Sequence, residues 1–219
     1  MGKELGEIKM SHSKHAFIRL ALDCNALLFG DFTLKSGRQS PYFFNAGLFY
    51  QGHALRELGQ YYARVLMREV QDVRHLFGPA YKGLPITTAT AIALAEHGIE
   101  TTVSFNRKET KAHGEGGDLI GAPLNGPTVI IDDVITAGIA FKEAQRFILN
   151  KGGSVQAVVI ALDRQEHSTG TISTLASIQA EGIPVHAIIT LEDLIIYLKE
   201  QGNQEQAHRL AKHREQVGI

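Results

Sequence analysis

The sequence predicts an α/β fold: a central, mostly parallel sheet flanked by helices. Three observations carry this. From residue 74 onward, short apolar runs alternate with stretches of helical spacing, the rhythm of β–α–β crossovers. "TVII" and "VQAVVIAL" are apolar throughout, as strands buried on both faces are. Glycines close the helical stretches, at Gly98 and in "LNKGG" and "QAEG", where a helix end favours a residue that tolerates left-handed backbone.

Element by element, residues 11–30 read as an opening amphipathic helix, with Ser11 or Ser13 as cap and Gly30 as stop. About ten residues precede it, and Met10 could itself be an initiator. "DFTLKSGRQSPYFFNAG" mixes β-formers with a Ser-Gly turn and a proline, which predicts a hairpin-like hood. Residues 53–70 return to helical spacing, with Leu55, Leu58, Tyr62, Val65, Leu66 and Met67 on one face. Then come a strand at "HLF", a helix at "ITTATAIALAEHG", and strands at "TTVSF" and "TVII". A helix at "AFKEAQRFILNKGG" and a strand at "VQAVVIAL" follow. "TISTLASIQAEG", "VHAIIT" and "LEDLIIYLKEQG" add helix, strand and helix. Ligands of such sheets sit beyond the carboxyl ends of the strands. Chemistry is therefore expected after residues 77, 105, 131 and 162. The expectation is one domain over 1–219, with hood elements at 14–50 plus the C-terminal segment and a core at 53–190.

Composition narrows the class. Of 219 residues, 44% are hydrophobic and 21% charged, as in a globular chain. The formal net charge of −1 gives no overall attraction to nucleic acid or to an anionic membrane. Cys24 is the one cysteine, so no intrachain disulfide forms, and its apolar setting reads as a small buried hydrophobe. No secretory signal and no run long enough to span a bilayer stand out. The expected setting is the cytoplasm.

"TVIIDDVITAGIA" at 128–140 carries the chemistry. A buried strand ends in Asp132 and Asp133, and a turn of small residues leads into a helix. Small residues at a helix N-terminus let backbone N–H groups close around an anion, which suits a phosphate. The acids would repel that phosphate, so they need neutral donors such as hydroxyls. A ribose 5-phosphate offers both. A plain β–turn–α junction with two solvated acids and Thr136 as a cap is the alternative. Neither a P-loop nor a dinucleotide fingerprint is present. "NRKETKAHGEGGD", taken alone, is a basic, glycine-rich surface loop. Beside a phosphoribosyl site its cations would stabilise a departing pyrophosphate, and its glycines would let it open and close.

These segments resemble the type I phosphoribosyltransferases, and within them the orotate phosphoribosyltransferases. "FTLKSGRQSPYFFNAGL", "FGPAYKGLPI", "FNRKETKAHGEGGDLIG", "DDVITAG" and "LDRQE" carry the resemblance in order. The resemblance implies the type I phosphoribosyltransferase fold with an N-terminal hood. It implies transfer of the phosphoribosyl group from phosphoribosyl diphosphate (PRPP) to orotate. Mg²⁺ would be the cofactor, carried by the substrate rather than by a protein metal site. A homodimer is implied, sharing loop 106–118 across its interface.

By resemblance, Lys111, His113 and Asp133 serve catalysis. Lys35, Tyr81, Lys82, Arg107, Lys108, Lys111 and His113 meet PRPP. So do Asp132, Asp133, Val134, Ile135, Thr136, Ala137, Gly138, Ile139 and Ala140. Phe43, Phe44, Thr136 and Arg164 hold orotate; an extended chain points the two phenylalanines to opposite faces, so one ring is expected to pack inward. Related enzymes can hold a non-proline cis peptide in the "GPAYKG" loop. One departure stands out: Ile139 occupies a position where family members often have threonine. A lost hydroxyl bond to phosphate costs about 1.5–3 kcal/mol if nothing replaces it. Two other readings are a purine phosphoribosyltransferase, which the hood segment and Arg164 disfavour, and a PRPP-sensing DNA-binding regulator, which the retained basic loop and the net charge disfavour.

Overall fold

The structure is a computed structural model, and it describes residues 2–34, 37–111, 117–166 and 173–217. In chain order the elements are α1 (Gly2–Asp23), β1 (Leu27–Thr33), β2 (Gln39–Phe44) and α2 (Gly52–Glu69). β3 (His75–Gly78), α3 (Gly83–Glu96), β4 (Thr102–Lys111), β5 (Gly117–Gly121) and β6 (Pro127–Val134) follow. The chain continues through α4 (Ile139–Asn150), β7 (Ser154–Asp163), α5 (Thr174–Ala180), β8 (Val185–Thr190), α6 (Leu191–Glu200) and α7 (Gln204–Val217).

A six-stranded sheet of order β5-β4-β3-β6-β7-β8 forms the centre. Its strands are parallel except β5, which runs antiparallel to β4 along the edge. The apolar runs earn their place by alternation. Val129 and Ile131 of β6, with Ala157, Val159 and Ala161 of β7, join the core beneath α1, α2, α3 and α6. Ile130, Val158 and Ile160 point the other way, into a second core with Phe141, Ala144 and Ile148 of α4 and Ile178 of α5. Both faces are thus covered, as a parallel sheet requires. On the first face α2 and α3 approach closely at Gly59, where a Cβ would fall 2.4 Å from the Ala89 carbonyl oxygen.

β1 and β2 form a separate antiparallel pair, from Leu27↔Phe44 to Thr33↔Gln39. This is the hood. α7 fastens it: Gln206 Nε2 donates to the Pro41 carbonyl at 3.0 Å, and Arg209 pairs with Asp31. α6 begins with a capping box in which Thr190 and Asp193 satisfy one another's backbone.

Three expectations need correction. The first helix does not span 11–30: it runs from Gly2 to Asp23, Asn25 takes a left-handed φ of 55°, and Gly30 lies inside β1. Cross-strand pairing with β2 outweighs the helical spacing of this stretch. β5 and α7 were not foreseen as a strand and a helix. The strand containing "TVII" also continues to Val134, so both acids still belong to β6.

Candidate active site

Strand order decides where a ligand can sit. From β3 the chain crosses through α3 to β4 on one side, whereas from β6 it crosses through α4 to β7 on the other. β3 and β6 are neighbours, paired at Leu76↔Val129 and Phe77↔Ile130. Their exit loops therefore diverge and leave a crevice at the carboxyl end of the sheet.

The two acids stand at that crevice. Asp133 is only 5% exposed, and its Oδ2 accepts from Lys82 Nζ at 2.8 Å, which ties the β6 exit to the β3 exit loop. Its Oδ1 accepts from the Val134 N–H at 3.0 Å, and Asp132 Oδ1 accepts from the Asp133 N–H at 2.9 Å. Below them the fully buried Tyr62 of α2 donates its hydroxyl to the Asp132 carbonyl at 2.7 Å. Burial first, and the neighbouring Asp133 charge second, push the Asp132 carboxyl up to about 7.

After β6, Ile135 is buried in the second core and anchors the turn, while Thr136 and Ala137 are exposed. Gly138 caps α4 with a φ of 74°, and a Cβ there would lie 2.7 Å from Thr174 Cγ2. Thr174 also donates its hydroxyl to the Thr136 carbonyl at 2.8 Å, so α5 braces the turn. No side chain caps α4, and its first turn holds no acid. The first N–H groups are left for an anion. Ile139 stands 65% exposed at this helix start.

The β3 exit loop brings a second set of cations. The Ala80–Tyr81 peptide is cis. The Ala80 N–H donates to Asn106 Oδ1 at 2.8 Å, which ties the middle of β4 to the loop. Lys108 Nζ then sits 5.0 Å from the centre of the exposed Tyr81 ring, and Arg107 beside it is half-buried. Lys35 and His113 lie outside the described residues. Lys111 ends β4, and its side chain lies outside them too.

On the hood, Phe44 is buried and Phe43 is 36% exposed, its ring 5.6 Å from Phe32. The two rings take opposite faces, as alternation along a strand demands. One strand over from the acids, β7 leads into Arg164. This arginine is 6% exposed rather than solvated. Its Nε and Nη2 donate to Glu166 Oε1 at 3.1 and 2.8 Å, and its Cζ lies 4.6 Å from the Tyr42 ring centre. Glu166 Oε1 also lies 3.4 Å from both the Tyr42 hydroxyl and His213 Nε2, and Oε2 pairs with Arg38 of the hood. Burial opposes the Glu166 charge, but His213, Arg164 and Arg38 outweigh it and hold the carboxyl at about 2. The loop is pinned further by Asp163 Oδ1, which accepts from the Gln165 N–H at 2.8 Å, and by Gln165 Oε1, which accepts from the Glu192 N–H at 2.9 Å.

The crevice therefore gathers Lys82, Asp132, Asp133 and the 135–140 turn, with Tyr81 and Lys108 at its β3 side. Tyr62, Asn106, Arg38, Tyr42, Glu166 and His213 were not singled out by sequence. A Glu two residues after Arg164 and an arginine in the hood turn were the available signals. His213 gave none, because its helix was not foreseen.

No family model matches the chain. Among curated proteins, the orotate phosphoribosyltransferase of Legionella pneumophila (strain Paris) is 58% identical over 209 residues, covering 95% of this chain and all of that one. The orotate phosphoribosyltransferase of Cronobacter sakazakii is 50% identical over 215 residues, covering 96% and all respectively. Among solved structures, the orotate phosphoribosyltransferase of Francisella tularensis superposes with a TM-score of 0.84 at 38% identity, covering 93% of this chain and all of that one.

Proposed function

Because this chain belongs to the orotate phosphoribosyltransferase family, and so transfers the 5-phosphoribosyl group of PRPP to orotate in UMP biosynthesis, we propose that its site divides the labour as follows. The N–H groups of the 136–140 turn grip the 5-phosphate. Asp132 and Asp133 accept from the ribose hydroxyls. Lys82, Arg107, Lys108, Lys111 and His113 surround the diphosphate, with Lys35 and Tyr81 beside them. Phe43, Phe44, Thr136 and Arg164 hold orotate, the guanidinium meeting its carboxylate.

The C1–O bond to pyrophosphate breaks early and leaves an oxocarbenium-like ribose. Orotate N1 attacks from the opposite face, inverting C1 and giving orotidine 5′-monophosphate and pyrophosphate. The protein supplies orientation, fixed positive charge where the diphosphate departs, and a site from which water is displaced. Mg²⁺, when bound, would neutralise diphosphate charge. The protein groups fit that role: both oxygens of Asp133 are engaged, by Lys82 and the Val134 N–H, whereas the Asp133 N–H takes only Oδ1 of Asp132, so Asp132 would be the carboxylate to hold it. Asp133 and Lys111 are the catalytic residues of this reading, with His113.

The same reading takes the chain as one cytoplasmic domain, the hood over 14–50 plus the C-terminal segment and the core over 53–190. It is further proposed to act as a homodimer in which loop 106–118 serves the partner's site. An apolar groove between α2 and α3, lined by Leu55, Leu84, Pro85, Ile92 and Phe105, supports this. Phe105 lies just before Arg107 and Lys108, so a copy seated there would bring the two loops close.

The observation that carries the reading is the Lys82–Asp133 contact at the strand-order switch, beside an uncapped helix start. The test is loss of orotate absorbance when PRPP and Mg²⁺ are added. Lys111→Ala should cut turnover by about 10²-fold or more, while changing orotate binding little. Near-normal turnover would remove Lys111 from catalysis.

A further inference from the structure

Glu166 is one carboxylate shared by two arginines from different parts of the fold. Arg164 comes from the β7 exit and binds Oε1; Arg38 comes from the hood turn and binds Oε2. Tyr42 and His213 complete the cluster without adding a second anion. The Glu166 and Arg164 side chains are 8% and 7% exposed, and that of Arg38 is 35% exposed. With His213 neutral, two fixed positive charges and one negative leave one surplus positive charge. An isolated Arg164–Glu166 pair would be neutral and would gain little from a second carboxylate, because its guanidinium is already matched.

We propose that Arg38 is a specificity-determining positioning residue: by taking up Glu166 from the hood side, it leaves Arg164 a net positive charge toward the ring carboxylate. The inference rests on the reading of Arg164 as the partner of that carboxylate. Tyr42 covers one face of the Arg164 guanidinium at 4.6 Å, and Glu166 occupies its Nε–Nη2 edge. Both N–H groups of Nη1 and the second N–H of Nη2 are not taken by Glu166 and can meet a ligand. Arg38 need not touch the substrate. It sets how strongly the pocket prefers a carboxylated pyrimidine, and it ties that preference to the hood turn that carries it.

Orotidine 5′-monophosphate and UMP differ only by the carboxylate, so the ratio of their dissociation constants, measured by calorimetry, isolates the effect. Arg38→Gln should lower the preference for the carboxylated nucleotide about tenfold, equivalent to about 1.4 kcal/mol, with UMP affinity unchanged. Arg38→Lys should retain most of it. Combining Arg38→Gln with Glu166→Gln should restore the preference, because one positive charge again stands unopposed. A merely structural role would make the double variant worse. If Arg38→Gln does not fold, Glu166→Gln and the double variant still decide: the former, with two surplus charges, should prefer the carboxylate more strongly. Preferences that do not rank with the net charge overturn the proposal. Arg164→Met separates the two layers. If it abolishes the preference while Arg38→Gln leaves it intact, only the role of Arg38 falls. If it leaves the preference intact, the reading of Arg164 falls, and the role of Arg38 with it.

Discussion

At the scale of residues, Asp132 is where environment and chemistry conflict. Its carboxyl is pushed up to about 7 from an ordinary 3.8 by burial and by the Asp133 charge. A group raised in the folded state stabilises the fold below its unfolded value and loses that contribution as pH rises toward the folded one. Asp132→Asn should therefore gain thermal stability over the parent progressively between about pH 4 and pH 7, and hold a level advantage above. In its proposed role, accepting from the ribose hydroxyls, Asp132 acts in its ionised form, so the parent's kcat/KM for PRPP should rise with pH through about 7. That limb should be absent in Asp132→Asn; if it persists, another group carries it. Ile139 is a second test. Its side chain is exposed at the start of α4, where a hydroxyl could reach a phosphate. Ile139→Thr should lower the KM for PRPP, by about tenfold or more if the full ~1.5–3 kcal/mol of a charged hydrogen bond is gained; an unchanged or raised KM would count against a phosphate there. The acids and the turn were legible because charge after a buried strand is costly and small residues at a helix start are informative. Tyr62 was not: in the sequence it is one more aromatic on a helix face, and only the fold shows its hydroxyl reaching the Asp132 carbonyl.

At the scale of elements, the 135–140 turn holds its shape because α5 presses on it. A Cβ on Gly138 would meet Thr174 Cγ2 at 2.7 Å, and the φ of 74° disfavours any side chain. Gly138→Ala should cost about 1–3 kcal/mol, visible as a lower unfolding temperature, and should raise the KM for PRPP more than that for orotate. Equal effects on both would mean that the turn does not specialise in phosphate. The core helices and parallel strands were readable from period and glycine stops, since local pattern and burial agree in them. The hood is the hairpin that its residues predict, but it begins earlier, at Leu27. Leu27 to Thr33 have apolar spacing compatible with a helix, and only their pairing with residues 39–44 settles them as a strand. β5 was hidden for a similar reason. "GDLIG" is short and glycine-bounded, and it becomes a strand by pairing with β4 at Ser104, Phe105 and Asn106.

At the scale of the whole molecule, the Glu166 cluster joins hood, sheet exit and C-terminal helix. Its carboxyl, held at about 2 against an ordinary 4.5, stabilises the fold above that ordinary value and ceases to do so as pH falls toward 2. Glu166→Gln should flatten the loss of stability between about pH 4.5 and pH 2; an unchanged acid limb would place the sensitivity elsewhere. "LDRQE" announced the arginine, but Arg38 and His213 lie 126 and 49 residues from it by number, and no local pattern joins them. The proposed dimer can be tested on the α2–α3 groove, where Ile92 is 59% exposed. Ile92→Glu should yield monomers by ultracentrifugation and lose most activity; a fully active monomer would refute sharing of the loop. The Tyr62 hydroxyl adds a consequence. The helix that contributes Leu55 and Gln60 to that groove also carries the donor beneath Asp132. In the proposed dimer, self-association and sugar occupancy would press on the same rod, and reciprocity would make each an effector of the other. Dilution should then weaken the grip on PRPP, and saturating PRPP should lower the dissociation constant of the pair by the same coupling free energy.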